Sequence, residues 1–211
     1  PDCVSTCCCG IEGAEAALDP EERGVIEHAV AARRQEYIAG RRCVRQALEQ
    51  LGVTAGSLDK RPDGSIAWPE GIVGALSHSD IWCAAAVARR SEAAGIGLDI
   101  ETIARIGEKL WRRILTGEER RWIVGQPAGE RQRWAALMFS AKEALYKCIA
   151  ARVKQRMGFM DAVIVPGLPS QSFAVRLNEP VAAQLPPGLN LRGRFFFCDG
   201  SVFSGLVLAG S

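Results

Sequence analysis

Gly95-Ile96-Gly97-Leu98-Asp99-Ile100-Glu101 is the stretch that decides how this chain folds and where its chemistry lies. Apolar residues broken only by glycine read as a buried strand. Side chains alternate along a strand, so Asp99 and Glu101 emerge on one side of its end. A partner stretch follows at Phe139-Ser140-Ala141-Lys142-Glu143-Ala144-Leu145-Tyr146-Lys147. Its apolar spacing is helical, so Glu143 and Lys147, one turn apart, share a face. Asp99, Glu101 and Glu143 are three hard oxygen ligands suited to Mg²⁺, which keeps several waters and completes its shell with substrate phosphates. The adjacent lysine suits a phosphate as well.

Outward from these stretches the pattern is α+β. Val4 to Ile11 reads as a first strand. Asp19-Pro20-Glu21-Glu22 starts a helix, with Asp19 as cap, Pro20 in the first position and Glu22 completing a capping box. After a break near Ala32, Tyr37, Val44, Leu48 and Leu51 mark one apolar face of a second helix closed by Gly52, and Arg34 and Arg41 share another face. Lys60-Arg61-Pro62-Asp63-Gly64 is turn chemistry. Strands are expected at 72–76, 82–88 and 96–100. Thr116 and Glu119 form a second capping box, and a long helix spans 131–149 with Trp134, Leu137, Ala141, Leu145 and Cys148 inward. Strands at 159–165, 172–177, 194–198 and 201–208 close the chain, with Asp199-Gly200 as a hairpin turn. The halves, 1–95 and 96–211, each mix helices with a small sheet but share no obvious sequence repeat.

A third element lies upstream, Val73-Gly74-Ala75-Leu76-Ser77-His78-Ser79, a small-residue-rich strand running into one of the chain's two histidines. An acidic strand end or a helical Glu-Lys pair taken alone is ordinary solvated surface. The ordered set of three is far rarer. Ser77-His78-Ser79, then Gly97-Leu98-Asp99-Ile100-Glu101, then Lys142-Glu143-Ala144-Leu145-Tyr146-Lys147 resembles the 4′-phosphopantetheinyl transferases. The likeness is to the monomeric, two-halved type that activates carrier proteins of siderophore, peptide, polyketide and fatty-acid synthases. It extends through Arg33-Arg34-Gln35-Glu36-Tyr37-Ile38-Ala39-Gly40-Arg41, Trp68-Pro69-Glu70-Gly71 and the C-terminal strand pair, and so covers nearly the whole chain. Two departures stand out: Phe139 where many members carry Trp, and Asp80 where Gly is common. Both bear on pocket walls.

The resemblance implies two similar halves related by a pseudo-twofold axis, each with a small, mostly antiparallel sheet packed on helices, and an active site at their interface. It implies Mg²⁺-dependent transfer of the phosphopantetheine arm of coenzyme A to a serine of an acyl or peptidyl carrier protein, releasing adenosine 3′,5′-bisphosphate. Asp99, Glu101 and Glu143 would hold Mg²⁺ directly or through water, and Lys147 would face the pyrophosphate. Glu143 or a metal-bound water would take the serine proton, since one carboxylate can hardly be a full ligand and a good base together. By position, the coenzyme A 3′-phosphate is assigned to Arg33 and Arg41, Lys60 and Arg61, and His78 with Ser77. Lys142 would contact the nucleotide or cap a surface. Guanidinium forks suit phosphate geometry.

Composition agrees with this reading without suggesting it. The chain has 211 residues, 48% hydrophobic and 24% charged, and a net charge of +2 that is too small for nucleic acid to be the main partner. Acids gather between Glu12 and Glu22, whereas Arg105, Lys109, Arg112, Arg113, Arg120, Arg121, Arg131, Arg133, Arg152, Lys154 and Arg156 make the middle basic; solvated helix faces account for most of these, and the stretch also offers an acidic partner a place to dock. Cys3, Cys7, Cys8 and Cys9 crowd the start, while Cys43, Cys83, Cys148 and Cys198 lie within apolar patterns. No repeated C-x-x-C pair or neighbouring histidine suggests zinc, so they read as small buried residues in a reducing compartment. Neither a signal peptide nor a membrane-spanning run is read, and the expected location is cytoplasmic. Two other activities use the same residues: a metal-dependent phosphatase or pyrophosphatase, and a non-enzymatic coenzyme A or carrier-protein binding module.

Overall fold

The computed structural model describes residues 2–14, 18–61, 64–153 and 157–210. The chain is α+β and divides into two compact units, Pro1–Ala94 with Ala209–Ser211, and Gly95–Leu208. Pro62 and Asp63 of the expected turn, and Lys154 and Arg156 of the basic middle, lie outside the described residues.

In the first unit, β1 (Ser5–Gly10), β2 (Ile72–His78) and β3 (Trp82–Arg89) form an antiparallel sheet in the order β1-β3-β2. The central strand carries Cys83-Ala84-Ala85-Ala86-Val87-Ala88, all buried, and such small side chains let a helix approach closely. That helix is α2 (Ala31–Gln50), which buries Ala39, Cys43, Val44, Ala47 and Leu48 against the sheet. The preceding α1 (Pro20–Ile26) ends earlier than the expected break near Ala32. Arg34 accounts for the boundary, since its guanidinium donates to the carbonyls of Glu27 and Ala29 just past α1. Arg34 and Arg41 share a face of α2 as expected, two turns apart, but Arg34 in the first turn is exposed and Arg41 is buried. Gly52, at φ 70°, closes α2 as its position predicts.

The second unit holds five strands in the order β4-β8-β7-β6-β5: β4 (Ala93–Thr102), β5 (Ala162–Gly167), β6 (Ser172–Leu177), β7 (Arg192–Cys198) and β8 (Ser201–Ala209). Asp199 and Gly200 both take positive φ, 45° and 69°, the turn a tight β7–β8 hairpin requires. Its helices are α3 (Glu108–Ile114), α4 (Gly117–Val124), α5 (Arg131–Ile149) and α6 (Glu179–Ala182). The strand expected from Phe159 begins instead with a 3-10 turn, Phe159–Asp161, because the Asp161 carboxylate accepts the Gly158 amide at 2.7 Å. Trp134 of α5 packs edge-on against Trp122, Phe195 and Phe197.

Although the halves share no sequence repeat, both units use one structural device. Glu22 and Glu119 each stand third in the capped first turn of a short helix, and both are buried. Glu22 accepts the amides of Asp19 (3.1 Å) and Leu58 (3.4 Å) and pairs with Arg41 (3.0 Å) and Arg45 (2.6 Å). Glu119 accepts the amides of Thr116 (2.7 Å) and Ile164 (2.8 Å) and pairs with Lys142 (2.7 Å). In each unit the cation comes from the long helix that follows. The Ile164 bond also occupies an amide on β5, the sheet's edge strand.

All eight cysteines are free thiols. Cys43, Cys83 and Cys148 are buried as expected, but Cys8 and Cys198 are exposed, so packing does not explain those two.

Candidate active site

Asp99 sits on β4, only 6% exposed, and Lys147 of α5 reaches it, Nζ to Oδ1 at 2.8 Å, while also donating to the Leu98 carbonyl at 3.0 Å. Glu143 lies one turn earlier on α5. Burial, and then the negative charge of Asp99, raise its carboxyl above the usual carboxylate range, and the Lys147 ammonium opposes that shift. Asp99, Glu143 and Lys147 are therefore one electrostatic cluster. Glu101 leaves the same strand, and its carboxylate accepts the Thr102 amide at 3.0 Å. Among the described residues no three carboxylate, thiol or imidazole side chains converge into a ready-made metal cage. The expected trio is thus not preassembled. Its donor chemistry nevertheless fits a hard divalent cation, because carboxylate oxygens are the ligands such an ion takes.

Lys142 does not join this cluster. Its side chain is fully buried, and Nζ donates to Glu119 (2.7 Å), the Ile114 carbonyl (2.9 Å) and the Phe159 carbonyl (2.7 Å). With three protein acceptors and no exposed surface, the ammonium serves the fold rather than capping a surface. Burial holds its pKa below the usual lysine value, with Glu119 opposing.

Arg41 is buried and partnered too. It is 2% exposed, pairs with Glu22, and donates to the Tyr37 hydroxyl (3.0 Å) and the Leu58 carbonyl (2.6 Å). Its guanidinium also lies 4.4 Å from the centre of the Tyr37 ring, with Lys60 Nζ at 5.5 Å from the same ring. Burial, then Arg33 and then Arg41 push the Lys60 pKa down, so these three cations share one neighbourhood. Arg33 is exposed and pairs with Glu36 at 2.7 Å, and Arg61 is exposed. Ser77 is buried and His78 exposed at the end of β2. Ser79 makes the β2–β3 turn, its hydroxyl accepting the amides of Ile81 (3.4 Å) and Trp82 (3.2 Å). Tyr37, Glu22 and Glu119 were missed as site supports. The capping boxes were legible in sequence, but not that their glutamates would be buried against long-range cations.

Residues 21–88 match the 4′-phosphopantetheinyl transferase N-terminal domain, and residues 95–185 match the 4′-phosphopantetheinyl transferase superfamily. The chain is 34% identical over 195 residues to 4′-phosphopantetheinyl transferase PptT of Mycobacterium tuberculosis, covering 90% of this chain and 85% of that one. It is 32% identical over 196 residues to Svp of Streptomyces mobaraensis, covering 91% and 79%. With Npt of Nocardia iowensis the identity is 30% over 216 residues, covering 95% and 96%. Both proteins carry the same transferase name. Motif order, an acidic cluster joining β4 to α5 and likeness along nearly the full length agree, and the chain belongs to the 4′-phosphopantetheinyl transferase family of enzymes.

Proposed function

We propose that this chain moves the 4′-phosphopantetheine arm of coenzyme A onto a serine of an apo acyl or peptidyl carrier protein, releasing adenosine 3′,5′-bisphosphate. The observation that carries the reading is the Asp99–Glu143–Lys147 cluster on β4 and α5. Glu143 takes the proton of the attacking serine hydroxyl. Its half-buried position beside Asp99 raises its proton affinity toward what a general base at neutral pH needs. Lys147 holds its ammonium against the pyrophosphate, where negative charge gathers on the leaving oxygen. Asp99, Glu101 and Glu143 would hold Mg²⁺, directly or through water. The chemistry Mg²⁺ supplies there is neutralisation of phosphate charge.

Arg33, Lys60, Arg61 and His78, with Ser77, receive the 3′-phosphate. Arg41 supports them from beneath by fixing the Tyr37 ring over which Lys60 lies. Residues 1–95 thus carry the nucleotide contacts and 96–211 the acidic chemistry. One chain carries both sets, which supports action as a monomer, and the free thiols support a reducing, cytoplasmic setting. No helix among the described residues is long and apolar enough to cross a membrane.

The test is incubation with coenzyme A, Mg²⁺ and an apo carrier protein, followed by mass spectrometry of the carrier. A gain of one phosphopantetheine per carrier supports transfer. Coenzyme A cleaved with the carrier unmodified would make the chain a phosphatase or pyrophosphatase. Binding without either product would reduce it to a binding module.

A further inference from the structure

The face of β4 that carries Asp99 and Glu101 carries Gly95 and Gly97 before them, since alternate residues of a strand share a side. Both glycines lie directly on α5. A Cβ at Gly97 would stand 1.8 Å from the Ala144 carbonyl oxygen and 3.0 Å from Cys148 Cβ. A Cβ at Gly95 would stand 2.2 Å from the Cys148 carbonyl oxygen and 3.5 Å from its Sγ. No β carbon fits at those distances, so strand and helix touch backbone to backbone. The two periods agree: two strand residues advance about 6.8 Å and four helix residues about 6 Å. Each step of two along β4 therefore meets one turn of α5, Gly95 over Cys148 and Gly97 over Ala144. The next step is Asp99, held by Lys147 at 2.8 Å and opposed in charge by Glu143.

We propose that Gly97 is a positioning residue for the acidic cluster, with Gly95 as the outer rung of the same contact. Its missing side chain sets the strand–helix gap, and that gap sets how close Asp99 comes to Glu143 and Lys147. Neither glycine carries a positive φ among the described residues, so close approach and not backbone freedom explains them. The functional part of this inference rests on the reading of the cluster under Proposed function.

Gly97→Ala and Gly95→Ala separate positioning from plain destabilisation, because both insert one methyl against a helix carbonyl but only Gly97 is one rung from Asp99. Three readouts apply: acylation of Lys147 by an amine-selective reagent, followed by mass spectrometry on the metal-free protein; Mn²⁺ affinity by electron paramagnetic resonance; and kcat with KM for coenzyme A. For Gly97→Ala, Lys147 labelling should rise about threefold as its Asp99 bond opens. Mn²⁺ affinity should fall about tenfold, and kcat about 100-fold with KM for coenzyme A within about twofold, the scale expected when reacting groups shift by an ångström. Gly95→Ala should lower Tm comparably while changing Lys147 labelling and kcat much less.

Should Gly97→Ala not fold, Cys148→Met lengthens the side chain already wedged beneath both glycines, and it should raise Lys147 labelling in the same way. Wild-type Lys147 protection in Gly97→Ala, or in Cys148→Met if that variant replaces it, would overturn the positioning role, as would parallel losses in the two glycine variants that merely track Tm. An inactive wild-type protein would instead sink the transferase reading and leave the labelling test standing.

Discussion

Lys142 and Glu119 form a buried ion pair, Nζ to Oε2 at 2.7 Å, with side chains 0% and 1% exposed. Each partner also binds backbone: Glu119 takes the amides of Thr116 and Ile164, and Lys142 donates to the carbonyls of Ile114 and Phe159. The pair therefore ties the end of α3, α4, α5, β5 and the 3-10 turn at Phe159 at one point, with Lys142 next to Glu143 in the chain. Removing one member leaves different damage. Glu119→Ala strands a buried ammonium and two amides, and should cost about 3–5 kcal/mol. Lys142→Met leaves Glu119 with two amide donors and should cost less. Urea unfolding of the two variants measures this order, and a costlier Lys142→Met would mean that the amides do not hold the carboxylate.

Glu143 makes stability and activity pull apart. Its raised pKa means that the folded protein holds this proton to higher pH than the unfolded chain, whose glutamates titrate near ~4.3. Stability from this group accordingly falls as pH rises from about 4.3 through the raised folded value, and its unfavourable contribution is complete above that window. Glu143→Gln mimics the protonated state. With chelator present, it should melt higher than wild type at neutral pH, with the difference closing below about pH 4, while transfer is lost by about 100-fold or more. Scanning calorimetry across pH checks the first claim; a Tm gap independent of pH would refute the electrostatic account.

The cations proposed to serve the 3′-phosphate divide into exposed and buried ones. Arg33→Ala or His78→Ala should weaken coenzyme A binding roughly 10- to 100-fold, as loss of a charge-assisted hydrogen bond does. Binding of the analogue lacking the 3′-phosphate should change little. Arg41→Met should lower Tm and weaken both ligands alike, because Arg41 works through Glu22 and Tyr37. Isothermal titration with the two ligands separates these patterns, and a selective loss for Arg41→Met would return it to direct contact.

Sequence made some of this legible, and the reasons are physical. The long helix 131–149 matches its expected bounds because its apolar period runs unbroken between clear ends. Both capping boxes and the Asp199-Gly200 turn are local chemistry, so a few neighbouring residues decide them. Helices α3 and α6, of seven and four residues, were missed because so few turns give little periodicity. The motif residues Asp99, Glu143 and Lys147 do come together. Lys142 and Arg41 show what sequence hides: a cation in a motif looks available, and only tertiary structure shows a buried glutamate, 23 and 19 positions away, already holding it. The glycines before Asp99 marked a buried strand, but their contact with α5 depends on packing between elements far apart in sequence.

Arg112 and Arg113 on α3, and Arg120 and Arg121 on α4, are all exposed, as a docking face for an acidic carrier helix requires. Exposed charges act mainly on encounter rate and are screened within ~10 Å at ~0.1 M salt. Reversing Arg112 and Arg113 together, or Arg120 and Arg121 together, to Glu should raise KM for the carrier about tenfold and leave kcat within about twofold. Raising salt should do the same to the wild type while flattening in the variants, because the charges it screens are gone. Coenzyme A binding without carrier should respond less to the arginine reversals, since none of these four arginines is among the proposed nucleotide contacts. Steady-state kinetics across a salt series settles the point: unchanged carrier KM in both double variants, with a salt response equal to wild type, would leave these arginines as solvated helix surface and move the docking face elsewhere.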